Sequence, residues 1–229
     1  MKSYSTVPTS AWYHRLDGLF MFNTWLVAGL MALLYLLLAY YNNTFIVSNE
    51  LYYRTYSEQL TMERIDTLLS AQQRWLWLGY AMVPLLFAIR TSFTACCLYL
   101  GGFLLDKKIR YGAVYKVVLL AEVPLLAAAC VKIIWFVFFR EAQVLSDIQL
   151  FSPFSLASLV GVQHVSSYFV YPLITLNLFE VLNWLVLAVG MAYYLRENLQ
   201  QTIPFVLKTY GIGLFTWMLL VIFLQLQLS

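Results

Sequence analysis

The chain alternates between long apolar runs and short polar joints. Five runs stand out, at about 19–41, 75–105, 112–138, 172–195 and 203–226. Each matches or exceeds the ~20 residues that a helix needs to cross a bilayer. The second run is longer than that. It must tilt, break near Pro84, or extend past the membrane surface. Pro172 and Pro204 lie near the starts of runs, where a missing N–H costs little. Pro84 and Pro124 lie inside runs, where a kink is tolerated only if neighbours satisfy the freed carbonyls. The pattern predicts an all-α polytopic membrane protein. A short segment, 1–18, precedes one five-helix transmembrane domain over 19–229.

Two of the joints carry patterns of their own. "TYSEQLTMERIDTLLSAQQR" (55–74) reads as an amphipathic helix that runs on into the second span. Thr55 and Glu58 fit a capping box, and Leu60, Ile65, Leu68 and Leu69 fall roughly on one face. "SDIQLFSPFSLASLVGVQHVSS" (146–167) is too short and too polar to span. It reads as an interfacial or re-entrant piece turned at Pro153. Tyr40, Tyr41, Trp75, Trp77, Tyr193 and Tyr194 crowd the span edges, as an aromatic belt does.

Composition agrees with a bilayer as solvent. The chain of 229 residues is 62% hydrophobic and only 11% charged, against about a quarter charged in soluble domains. The basic residues form no stripe of the size nucleic acid requires, which excludes that partner class. Cys96, Cys97 and Cys130 all lie in apolar runs and form no C-x-x-C, so they read as small packing residues. The first run is followed by no A-x-A-like cleavage site and is expected to be retained. The last residues, "FLQLQLS", carry no lipidation or retrieval signal.

The basic residues of the joints predict the orientation. With the loop "DKKIRYG" in the cytoplasm, Lys2, Arg15, Lys107, Lys108, Arg110, Lys116, Arg196 and Lys208 gather on that side. Arg54, Arg64, Arg74 and Arg140 fall on the other, eight against four. The N-terminus is therefore expected inside and the C-terminus outside.

Against this background, four ionisable residues fall within the runs: Arg90, Glu122, Lys132 and Glu180. A charge at such depth costs roughly 2.5–3.5 kcal/mol on insertion scales, so each needs a reason. "AMVPLLFA" and "AEVPLLAA" share A-x-V-P-L-L-x-A, and each is followed by a base, Arg90 or Lys132. At ~1.5 Å per residue, Arg90 lies ~22 Å from the outer end of its run and Glu122 ~15 Å from the inner end of its own. Lys132 and Glu180 lie ~9 Å and ~12 Å from the outer ends of theirs. These depths allow two interhelical pairs, Arg90–Glu122 and Lys132–Glu180. Such pairs either hold the bundle together or line an ion, proton or headgroup path. Lys132 can also snorkel to the outer interface.

Catalytic patterns are missing. His14 and His164 fall on opposite expected sides, so no two-His metal site or His-based triad assembles from one chain. There is no G-x-S-x-G and no Walker A. His164 beside Ser166 and Ser167 reads as a polar interfacial stretch. Asn42 opens an N-x-T sequon close to the membrane. No enzyme activity, cofactor or metal is expected.

Three stretches together resemble the Yip1 family. "FSPFSLASLV" is followed by "YPLITLNLFEVLNWLVLAVGM", in which Leu176, Asn177, Leu178, Phe179 and Glu180 lead into an apolar helix containing Gly190. "YKVVLLAEVPLL" is similar to the family's Tyr-rich entry to its third span. The resemblance covers roughly 75–226. It implies a compact helical membrane protein without enzyme activity, similar to the short bacterial members of the inner membrane. The eukaryotic members bind small GTPases through a longer cytosolic N-terminal region. With about 18 residues there, the resemblance does not carry GTPase binding or any binding residue to this chain. The expected function is that of an adaptor or membrane organiser acting through the bilayer and a membrane-protein partner or a second copy. The rival is a transporter or permease subunit with a polar path lined by Arg90, Glu122, Lys132 and Glu180.

Overall fold

The computed structural model describes residues 18–161 and 165–228. Lys2, His14, Arg15 and His164 lie outside the described residues. The described chain is helical. It holds five helices long and apolar enough to cross a membrane: Thr24–Ile46, Met62–Leu104, Tyr111–Phe138, Leu178–Leu195 and Leu199–Gln227. It is an integral multi-pass membrane protein.

The first span, α1 (Thr24–Tyr41), starts where the Asn23 side chain accepts from the backbone N–H groups of Trp25 and Leu26. A π-helical turn, Asn42–Ile46, extends it. No residue of α1 is buried, and Trp25 and Leu26 stand 83% and 66% exposed. An apolar helix left this open suits a solvent of lipid tails, not water.

A short helix, α2 (Asn49–Tyr56), is capped by Ser48. The chain breaks over 57–61 and restarts as α3 (Met62–Leu104), a continuous 43-residue helix. This corrects the expected start at Thr55. Thr55 belongs to the end of α2, where its hydroxyl donates to the Leu51 carbonyl and accepts from the Leu145 N–H. Leu60 precedes α3 and cannot share its face. Ile65 and Leu69 are buried, and Leu68 is exposed. The length of α3 is resolved without a break at Pro84. At ~1.5 Å per residue it measures ~65 Å, about twice the ~30 Å hydrocarbon core, so its early turns run beyond the membrane. Tyr53 of α2 donates to Asp66 of α3 there.

The third span, α4 (Tyr111–Phe138), likewise passes through Pro124 as one helix. Beyond it lie α5 (Leu145–Leu150) and α6 (Leu156–Val160), joined by residues 151–155 around Pro153. Leu51, Phe136 and Ile148 form a small buried cluster that ties α2, the end of α4 and α5 together.

The fourth apolar run is not one helix. α7 (Ser167–Thr175) contains Pro172 and ends before Asn177, and α8 (Leu178–Leu195) is the spanning part. The expected span 172–195 is corrected on this point. The reason is local. Leu176 and Asn177 are extended and clasp the loop before α6: Leu156 N–H donates to Leu176 O at 3.0 Å, and Leu178 N–H to Phe154 O at 3.1 Å. Asn177 then caps α8 by accepting from Glu180 N–H at 2.9 Å.

The last span joins α9 (Leu199–Val206), a π-helical turn (Leu207–Gly211) and α10 (Ile212–Leu228). The main core lies among α3, α4, α8 and α9, around Leu98, Val114, Val117, Leu187, Met191 and Phe205. α4 and α8 run antiparallel and make the most extensive helix pair. Their register is fixed where Gly190 meets Val117: a Cβ on Gly190 would stand 2.5 Å from Val117 Cγ1.

Candidate functional site: an intramembrane polar layer

Hydrocarbon forces polar side chains to find each other. Two groups form, on both sides of the α4–α8 contact.

The first joins α1, α3 and α4. Arg90 Nη2 donates to Glu122 Oε2 in an ion pair. Tyr35 donates its hydroxyl to the same Oε2 at 3.1 Å and accepts from Arg90 Nη2 at 3.2 Å. The Arg90 guanidinium also lies over the Tyr35 ring, 5.4 Å from its centre. Burial is unequal: the Glu122 side chain is 5% exposed and that of Arg90 48%. Arg90 therefore reaches inward from the bundle surface to an acid in the interior.

The second joins α8 to the π-helical turn of the last span. Glu180 Oε1 accepts from Trp184 Nε1 at 2.7 Å, from the Tyr210 hydroxyl at 2.8 Å and from Asn183 Nδ2 at 3.2 Å. The three donors sit at i+3 and i+4 on the same helix face and on the facing turn. Glu180 and Asn183 are 6% and 4% exposed.

The structure thus brings Arg90 and Glu122 together and leaves Lys132 and Glu180 apart. Lys132 makes no hydrogen bond or ion pair with the described residues and is half-buried. The register explains this. With Gly190 beside Val117, Glu180 is level with about residue 127 of α4, and Lys132 lies ~7 Å further out at ~1.5 Å per residue. At that level α8 has already ended. Pro84 and Pro124 lie within helical turns that continue on both sides.

Sequence reasoning missed Tyr35, Asn183, Trp184 and Tyr210. One signal was present for the middle two: an Asn and a Trp follow Glu180 at helical spacing inside an apolar run. Nothing local marks Tyr35 or Tyr210, because a tyrosine in a membrane helix is ordinary.

Polar ties also organise the end of the bundle opposite α2 and α5. Lys107 donates to both oxygens of Glu197, at 2.7 and 2.5 Å, joining the α3–α4 loop to the α8–α9 loop. Lys116 donates to Phe20 O at 3.0 Å. Among the described residues no group of His, Cys, Asp and Glu is arranged to hold a metal ion. Comparison of the chain with family models, curated proteins and solved structures returns no match.

Proposed function

We propose that this is a non-enzymatic, Yip1-like membrane protein that works as an adaptor or membrane organiser through protein or lipid partners. The observation that carries the reading is the Tyr35–Arg90–Glu122 group, which spends the central charges on joining three spans to one another. Every fully enclosed side-chain nitrogen and oxygen among the described residues is likewise hydrogen-bonded. Polar groups consumed by internal bonds serve a scaffold better than a solute path. The surface left for partners is the apolar face of the spans.

In the membrane, the N-terminus faces the cytoplasm and the C-terminus the outside, in a bacterial inner membrane. The Lys107–Glu197 tie supports the orientation, because it puts two base-bearing joints at one end of the bundle. The early turns of α3 and the α5–α6 segment are then the outer amphipathic helix and the interfacial piece.

One observation favours the second reading, a transporter or permease subunit. The guanidinium of Arg90 is half exposed at depth, where a purely structural cation would be enclosed. Proteoliposomes separate the two. On the scaffold reading, Arg90→Gln and Glu122→Gln are strongly non-additive in stability and change no ion or proton flux. Additive, small stability effects with a flux that both variants abolish would overturn it.

A further inference from the structure

The end of the bundle opposite α2 and α5 carries more base than its internal ties use. Its joints and the first turns of α4 hold Lys107, Lys108, Arg110, Lys116 and Arg196 against Asp106 and Glu197. Lys107 is bonded to Glu197, and the Arg196 guanidinium lies over the Tyr193 ring, 5.3 Å from its centre. Lys108 and Arg110 are exposed, and their side chains make no hydrogen bond or ion pair with the described residues. Lys116 donates to Phe20 O and lies over the Phe22 ring, which leaves part of its ammonium group unused.

Lys108, Arg110 and Lys116 line one cavity of about 600 Å³. Ile109, Gly112, Ala113 and Tyr194 complete its wall, and no acid lines it. The volume falls within the ~300–1,000 Å³ of small-ligand sites. Cations gathered round a concave opening favour an anion there, and phosphate oxygens are natural partners for lysine and arginine donors. α4 also begins at this wall without a side-chain cap, so backbone donors of its first turn add to the cations.

The second observation lies one turn further along the same two helices. An apolar groove of about 440 Å³ follows α4 and α8, between Val117, Leu120 and Val123 on one side and Leu182, Leu185 and Val189 on the other. Phe20 links the two features. It lines the groove, its carbonyl holds Lys116, and its ring packs edge-on against Tyr194 at 5.1 Å. From Ala113 to Val123 the distance is ~15 Å at ~1.5 Å per residue. That is the depth of one leaflet of a ~30 Å hydrocarbon core. A free anion has no use for the groove, and a lipid without net charge has no use for the unpaired bases. A molecule with a phosphate at the surface and a chain one leaflet long matches both.

We infer that the cavity and groove form a binding site for an anionic phospholipid. Its phosphate lies among Lys108, Arg110 and Lys116, and one acyl chain lies along the α4–α8 groove. The site deepens the organiser reading by naming a lipid as partner, and it rests on that reading for its role, though not for binding.

Native mass spectrometry of the full chain in detergent tests the inference. The protein is titrated with phosphatidylglycerol or with phosphatidylcholine of the same chains, and the Kd of the first bound lipid is compared. We expect phosphatidylglycerol to be preferred about tenfold or more, and Lys108→Gln and Arg110→Gln each to weaken that preference about fivefold. Both side chains are exposed and unbonded, so neither change disturbs folding. Arg74→Gln removes the same charge on the early turns of α3 and should leave the preference intact. Val123→Trp fills the groove from an exposed position and should weaken both lipids. Equal affinity for the two lipids overturns the inference, as does a preference that Arg74→Gln lowers as much as Arg110→Gln. Displacement of the lipid by equimolar inorganic phosphate shows a site for a free anion and overturns the lipid assignment. Lipid binding unchanged in Val123→Trp overturns the acyl-chain placement. A failure of this kind leaves the organiser reading to its own test of stability and flux.

Discussion

Glu122 and Arg90 form one pair but do not share one environment. The carboxylate is enclosed, and the guanidinium is half open on a long, flexible stem. The two single substitutions should therefore differ. Arg90→Gln strands an enclosed carboxylate and should cost about 3–5 kcal/mol, the usual penalty for breaking a buried pair. Glu122→Gln leaves a cation that can turn outward along its stem, and should cost clearly less. Equilibrium unfolding of the two variants in matched lipid checks the order. Glu122→Gln proving the more damaging would show that Arg90 is enclosed by something beyond these contacts. The same unequal burial is why a sequence-level depth estimate could propose the pair but not rank its members.

Among the elements, the α4–α8 contact fixes the register of the whole layer. It depends on Gly190, where any Cβ would press on Val117 Cγ1 and Cγ2, at 2.5 and 2.8 Å. Val117 is fully buried and β-branched, so it has little room to yield. Gly190→Ala should destabilise the protein by about 1–3 kcal/mol, the range for overpacking a core. Val117→Ala in the same chain should recover much of that loss, which a double-mutant cycle measures. A neutral Gly190→Ala would mean that the two helices are not in this register. α3 illustrates the opposite case, an element whose start was misread. The capping-box residues Thr55 and Glu58 were plausible from spacing alone. Ser48 instead caps a separate helix, and Thr55 is drawn into its end by bonds to Leu51 and to Leu145. Leu145 is remote in sequence, so no local pattern could announce it.

For the whole molecule, the orientation is the property on which partner access depends. Single-cysteine reporters test it, in a background with Cys96, Cys97 and Cys130 replaced. Gln143→Cys, between α4 and α5, should react with an impermeant maleimide on intact cells. Asp106→Cys, in the α3–α4 loop, should react only after permeabilisation. The reverse pattern would place the N-terminus outside.

What the sequence determined by itself is the membrane character and the number of spans. Both depend on hydropathy summed over one helix length, a quantity that every run carries locally and that a bilayer reads without regard to neighbours. It also showed that Arg90, Glu122, Lys132 and Glu180 needed an explanation, because charge in hydrocarbon is costly wherever it sits. Only the tertiary structure decided how each need is met. Glu122 takes the base, Glu180 takes three neutral donors, and Lys132 takes neither acid. That outcome depends on the axial register set at Gly190 and Val117, and on the break at Asn177 that ends α8 below Lys132. Register and break are relations between segments distant in the chain, so a periodicity or a hydropathy run contains neither.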